Sequence, residues 1–153
     1  MRSTLKLFDQ EASKEIRDRA QPLSQQLAQA LSVAAAFSAA PPQAILVARS
    51  ISTPRDRMIR VDVGGSKKVG RAYGANGTKA SAGALLWGSE YGSGGKPQDA
   101  AGRKMGASRF VKGRNRDGYW INRTIDANIK DVADAYTEIV KDIVKKLKLE
   151  GRA

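Results

Sequence analysis

The chain has 153 residues, a formal net charge of +12, no cysteine and no histidine. Its length suits one domain with a modest core. The missing residue types exclude disulfides and thiolate metal sites and remove the commonest general base and metal ligand.

The N-terminal segment reads as a helix over residues 9–37. Phe8, Ala12, Ile16, Ala20, Leu23, Leu27, Ala30, Leu31, Ala34 and Phe37 recur at helical spacing. Asp9 is the expected N-cap. Pro22 predicts a kink, because proline lacks a donor and crowds the preceding turn, while the apolar phase continues across it. Pro41-Pro42 ends the element.

Residues 43–63 read as an antiparallel hairpin. The run Ala44-Ile45-Leu46-Val47-Ala48 supplies one strand candidate. Arg57–Val63 supplies the other, with Ile59, Val61 and Val63 opposed to Met58, Arg60 and Asp62.

Fourteen of the fifteen glycines lie between Gly64 and Gly118, and residues 55–118 carry nine of the twelve net positive charges. This centre is expected to form long basic loops with short strands, held by the helices as a surface for partners. Asn76-Gly77 signals a turn. Ala84–Trp87 fits a strand or a helical turn, and Arg109–Val111 a short strand.

The last element reads as a helix over residues 123–149. Ile125, Ile129, Val132, Ala133, Tyr136, Ile139, Val140, Ile143 and Leu147 form one apolar stripe. Asn122 or Thr124 is the expected cap, and Gly151 the expected stop. The fold class is therefore α+β: a small antiparallel sheet packed by a long N-terminal and a long C-terminal helix.

The central acids Asp56, Asp62, Glu90, Asp99 and Asp117 share no catalytic spacing, so a non-enzymatic role without cofactor or metal is expected. Gly70–Lys79 lacks the Gly-Lys-Ser/Thr order of a phosphate-binding loop. A pI near 10.2 predicts an acidic partner. Two basic groups stand out: Lys67, Lys68, Arg71 and Lys79, which are the candidate DNA-facing set, and the denser Arg103, Lys104, Arg109, Lys112, Arg114 and Arg116. Aromatics do not interleave with these cations as single-strand binders require. Trp87-Gly88-Ser89-Glu90-Tyr91-Gly92 and Gly118-Tyr119-Trp120-Ile121 hold both tryptophans. Trp120 is expected to staple the last helix to the sheet, whereas Trp87 suits a core edge and an interface equally well.

The order of these features resembles the neck or tail-completion proteins of long-tailed bacteriophages, also described as head–tail connector or minor tail proteins. A long helix, a basic Gly-rich centre, the Trp87–Gly92 motif, the Gly118–Ile121 motif and a terminal amphipathic helix carry the resemblance across residues 5–149. Many relatives have a proline where this chain has Asn122, which bears on where the last helix starts. The resemblance implies a structural virion protein assembled in the host cytoplasm. It would join the head connector to the tail tube as part of an oligomeric ring around the DNA channel. Copies of itself, connector and tail-tube proteins would then be the partners, with transient contact to genomic DNA and none to membrane. Trp87, Glu90, Tyr91, Arg103, Lys104, Arg109, Lys112, Arg114 and Arg116 are the expected partner-binding residues. The alternative is a nucleic-acid-binding module for packaging or RNA association. A third reading is a Mg²⁺-dependent enzyme relying on Asp62 or Glu90.

Overall fold

The computed structural model describes residues 2–37, 40–73, 78–92 and 114–150. These form helices α1 (Arg2–Phe37), α2 (Gln43–Ala48), α3 (Ala82–Tyr91) and α4 (Ile121–Glu150), with strands β1 (Lys68–Tyr73) and β2 (Thr78–Ser81) between α2 and α3. The α+β reading therefore holds in outline: two long helices and a two-stranded antiparallel sheet. The Asn76-Gly77 turn, the Arg109–Val111 strand and the Gly151 stop lie outside the described residues.

The two long helices run antiparallel along each other. Arg19 bonds Asp142 at 3.0 Å and Lys146 bonds Glu15 at 3.3 Å, which fixes the direction. At these levels α1 buries the small Ala20 and Ser24, and α4 buries Ile139 and Ile143. Small residues on one helix opposite branched ones on the other let two helices approach closely. α1 begins at Arg2 rather than at Asp9, so Asp9 lies inside the helix and does not cap it. The helix also runs unbroken through Pro22.

The expected hairpin over 43–63 is not formed. Residues 43–48 make the short helix α2, which buries Ala44 and Val47 three positions apart on one face. A four-to-six-residue apolar run fits either period. Here Pro42, already in helical conformation at the N-cap, and a partner surface on α1 and α3 select the helix. Residues 52–62 instead form an irregular strap, closed by the single antiparallel bridge Ser52–Asp62. The strap lies across the α1–α4 pair. Gln21 Nε2 donates to the Thr53 carbonyl at 3.0 Å, the Arg60 N–H to Ser24 Oγ at 3.1 Å, and the Tyr136 hydroxyl to the Arg57 carbonyl at 2.7 Å. Arg55 pairs with Asp18. Arg60 is flanked by Asp56 and Asp62, and its hydrogen bond to Asp62 raises its pKa further. The alternation in 58–63 nevertheless marks which side chains turn inward. Val61 and Val63 pack against the core while Met58 stays exposed.

The first part of the basic glycine-rich centre contains the observed sheet. β1 and β2 pair with Lys68 opposite Ser81 and Ala72 opposite Lys79, with an irregularity between. Ser81 then caps α3, its hydroxyl accepting the Ala84 N–H at 3.2 Å. Gly83 donates to the Gly65 carbonyl at 2.8 Å, and a Cβ on Gly83 would meet that same oxygen at 2.9 Å. Only glycine lets α3 start this close to the chain before β1.

The main core collects Leu31 and Ala35 of α1, Ala44 and Val47 of α2, Val69 of β1, Ala82 and Leu85 of α3, and Trp120 just before α4. α1, α2, β1, α3 and the fully buried Trp120 thus share one cluster, and Ala80 of β2 and Ile121 of α4 pack against it. The expectation that Trp120 staples α4 is correct, although its neighbours are mainly helices rather than a sheet. Val47→Ala is expected to cost about 1–2.5 kcal/mol, measured by chemical denaturation, because two buried methyl groups leave a cavity that α2 is too short to close.

Candidate aromatic and arginine docking site

The two aromatic motifs meet in space. Tyr119 donates its N–H to the Glu90 carbonyl at 2.8 Å, and Asn115 to the Tyr91 carbonyl at 2.9 Å. Residues 115–119 therefore lie alongside the C-terminal end of α3. Their conformation is a braced turn: Asn115 Nδ2 donates to the Gly118 carbonyl at 2.7 Å, and the Asp117 N–H donates to Asn115 Oδ1 at 3.2 Å.

Glu90 joins the two segments. Its carboxylate accepts the backbone N–H groups of Trp120 at 3.2 Å, Ile121 at 2.7 Å and Asn122 at 2.9 Å. These donors at the first turn of α4 have no partner within the helix, and the positive end of its dipole favours an anion there. A glutamate from α3 thus caps α4 from a distance. The local caps Asn122 and Thr124 are not used: the helix starts at Ile121, and Asn122 Nδ2 instead donates to the Tyr91 hydroxyl at 3.1 Å.

Gly118 makes this approach feasible. Its φ is +79°, and a Cβ at this position would collide with the Glu90 carboxylate, lying 2.8 Å from its carbon. Glycine is required on both counts.

With Glu90 turned inward, its neighbours Trp87 and Tyr91 are left on the outside. Their rings stack with centroids 5.2 Å apart and planes at 25°. Trp87 remains 71% exposed. The stacked pair forms a ridge between two hollows. A cleft of about 470 Å³ is lined by Trp87, Gly88, Tyr91, Gly92, Arg114, Asn115 and Arg116. On the other side a hollow of about 180 Å³ is lined by Leu86, Trp87, Glu90, Tyr91, Ile121 and Asn122. Arg114 and Arg116 are exposed, and neither side chain has a polar partner among the described residues. An indole face, two open guanidinium forks and a floor with two glycines can take a planar or aliphatic group together with carboxylate or phosphate oxygens.

Of the expected partner-binding residues, Trp87, Tyr91, Arg114 and Arg116 converge on this cleft. Glu90 departs from the expectation: it is 3% exposed and its carboxylate is consumed by α4, so it supports the cleft without lining it. Arg103, Lys104, Arg109 and Lys112 lie outside the described residues. The candidate DNA-facing Lys68 and Lys79 are exposed at the hairpin, Arg71 sits in β1, and Lys67 donates to the Arg49 carbonyl. The sequence reading overlooks the brace made by Asn115 and Gly118, although Asn-x-Asp-Gly is a turn signature. Trp87→Ala is expected to lower stability by no more than about 1.5 kcal/mol, the worth of one exposed aromatic stack, as read from a denaturation midpoint.

Among the described residues no helix is long and apolar enough to cross a membrane. Comparison of the chain with protein-family models, with curated proteins and with solved structures returned no match.

Proposed function

We propose that the protein is a structural, non-enzymatic component of a long-tailed phage neck, joining the head connector to the tail tube as part of an oligomeric ring around the DNA channel. One observation carries this reading. Two of the motifs that carry the resemblance are joined by Glu90, and Trp87, Arg114 and Arg116 face outward beside the joint. Trp, Tyr and Arg are the residue types that dominate binding energy at protein interfaces. Holding them on a helix end and a braced turn reduces the ordering cost of docking. The long antiparallel helices supply a stiff frame, and the basic centre supplies contacts to acidic neighbours.

The test is removal of the gene from the phage that encodes it. DNA-filled heads and separate, complete tails should accumulate, seen by negative-stain microscopy, and the protein should be found by mass spectrometry in purified wild-type particles. Intact infectious particles formed without it would end this reading.

A nucleic-acid-binding module is the second reading, favoured by Lys68 and Lys79 exposed on the β1–β2 hairpin. It requires the isolated protein to bind a generic duplex or single strand with affinity that falls steeply as salt rises.

A further inference from the structure

We infer that the Trp87–Arg114–Arg116 cleft is one half of a joint between two copies of this chain, and that the outer face of α4 around Asp131 and Asp134 is the other half. The inference rests on the ring reading above and assigns its contact.

The cleft suits carboxylates, and about half of those among the described residues are already engaged. Among the described side chains, Asp18, Asp56, Asp62, Glu15, Glu138 and Asp142 each have a cationic partner. Glu90 is committed to the start of α4. Glu11, Asp117, Asp126, Asp131 and Asp134 remain exposed outside any ion pair, and Asp134 feels only a longer-range attraction from Lys141, which is itself paired with Glu138. Only Asp131 and Asp134 among these are close neighbours on one helical face, three positions apart, and Glu138 continues their stripe. Ala127, also exposed, precedes Asp131 by one turn and leaves a low place on that face. Lys130 lies beside it and can offer its ammonium to the open face of the Trp87 indole. The α4 face thus presents a cation for the tryptophan and two anions for the two arginines, which sets a register.

A single copy cannot make this contact with itself. Asp134 lies thirteen positions beyond Ile121, about 20 Å along a straight helix from the end where the cleft sits. The pairing is therefore between copies, and it joins two different patches. Such a contact is heterologous, so it repeats head to tail and closes into a ring when the rotation per copy allows. The net charge of +12 does not prevent it, because charges more than about 8 Å apart are largely screened at physiological ionic strength.

The experiment is sedimentation velocity of the full chain over a concentration series, with circular dichroism confirming that each variant is folded. All four substituted residues are exposed. Wild type should associate. Arg114→Glu with Arg116→Glu should weaken association about tenfold or more, and so should Asp131→Arg with Asp134→Arg. A chain carrying all four changes should recover most of the loss, since the charges again match. Association that ignores both pairs of changes overturns the joint while leaving the ring reading in place. Losses in each pair without recovery in the fourfold variant overturn it as well. A wild-type chain that stays monomeric throughout overturns the joint, while the gene-removal phenotype tests the ring reading separately. Binding of a single-stranded oligonucleotide that is lost in Trp87→Ala, by a chain whose association is indifferent to the charge changes, would make the cleft a nucleic-acid site instead.

Discussion

Replacing Glu90 with alanine is expected to destabilise the protein by about 3–5 kcal/mol, the cost of leaving one buried and two half-buried backbone donors without their charged acceptor. Three N–H groups at the start of α4 would lose their acceptor together. Glu90→Gln should cost about half as much: it keeps one acceptor oxygen but loses the negative charge that the helix terminus favours. Gly118→Ala should act through the same contact, because its methyl group would enter the space of the carboxylate. The two changes should therefore not add. In a background that already lacks the carboxylate, Gly118→Ala retains the cost of its positive φ, about 1–2 kcal/mol, and a tight contact with Asn122 Cβ at 3.2 Å. Denaturation midpoints of the two single variants and the double variant would measure this coupling. A Glu90→Ala protein within 1 kcal/mol of wild type, or a double variant equal to the sum, would contradict the role given to Glu90. The consequence extends to the surface, since Trp87 and Arg114 are carried by the two segments that Glu90 holds together.

Trp120→Ala is expected to be of similar severity, about 3–5 kcal/mol, as for other large aromatic truncations in a core. Trp120 is fully buried within a cluster supplied by α1, α2, β1 and α3, so its loss opens a cavity at the meeting point of every layer. Trp120→Phe should cost much less, below about 1.5 kcal/mol. The indole N–H has no acceptor among the described residues, so phenylalanine removes a buried, unpaired donor along with part of the ring. Fluorescence gives a second check. In a Trp87→Phe protein the remaining tryptophan is the buried Trp120, and its emission should shift to the red only on unfolding. Red-shifted emission from the native Trp87→Phe protein would mean that Trp120 is not in the core.

The long helices could be read directly because their apolar residues repeat at helical spacing over many turns, and only burial against another element satisfies such a stripe. The residue types of the candidate docking surface were readable too: Trp87, Tyr91, Arg114 and Arg116 are chemically apt for binding wherever they lie. The short elements were not. Ala44–Ala48 is too brief for its period to decide, and its conformation follows from the surfaces of α1 and α3 that receive Ala44 and Val47. The β1–β2 hairpin is interrupted by Gly70 and Gly74–Gly77, which dilute its alternation. The strand expected at Arg57–Val63 lost its partner once α2 became a helix, yet the inward direction of Val61 and Val63 survived, because burial and not strand pairing set that pattern.

Glu90 marks the boundary between the two kinds of knowledge. By itself the amino-acid order determined two amphipathic helices, a basic glycine-rich middle and a set of aromatic and basic residues suited to binding, all of which follow from local spacing and composition. Only the folded chain decided which acid is buried, which aromatic is displayed and where α4 begins. Those outcomes depend on an acceptor meeting donors 30 to 32 positions away, and no local pattern encodes that distance.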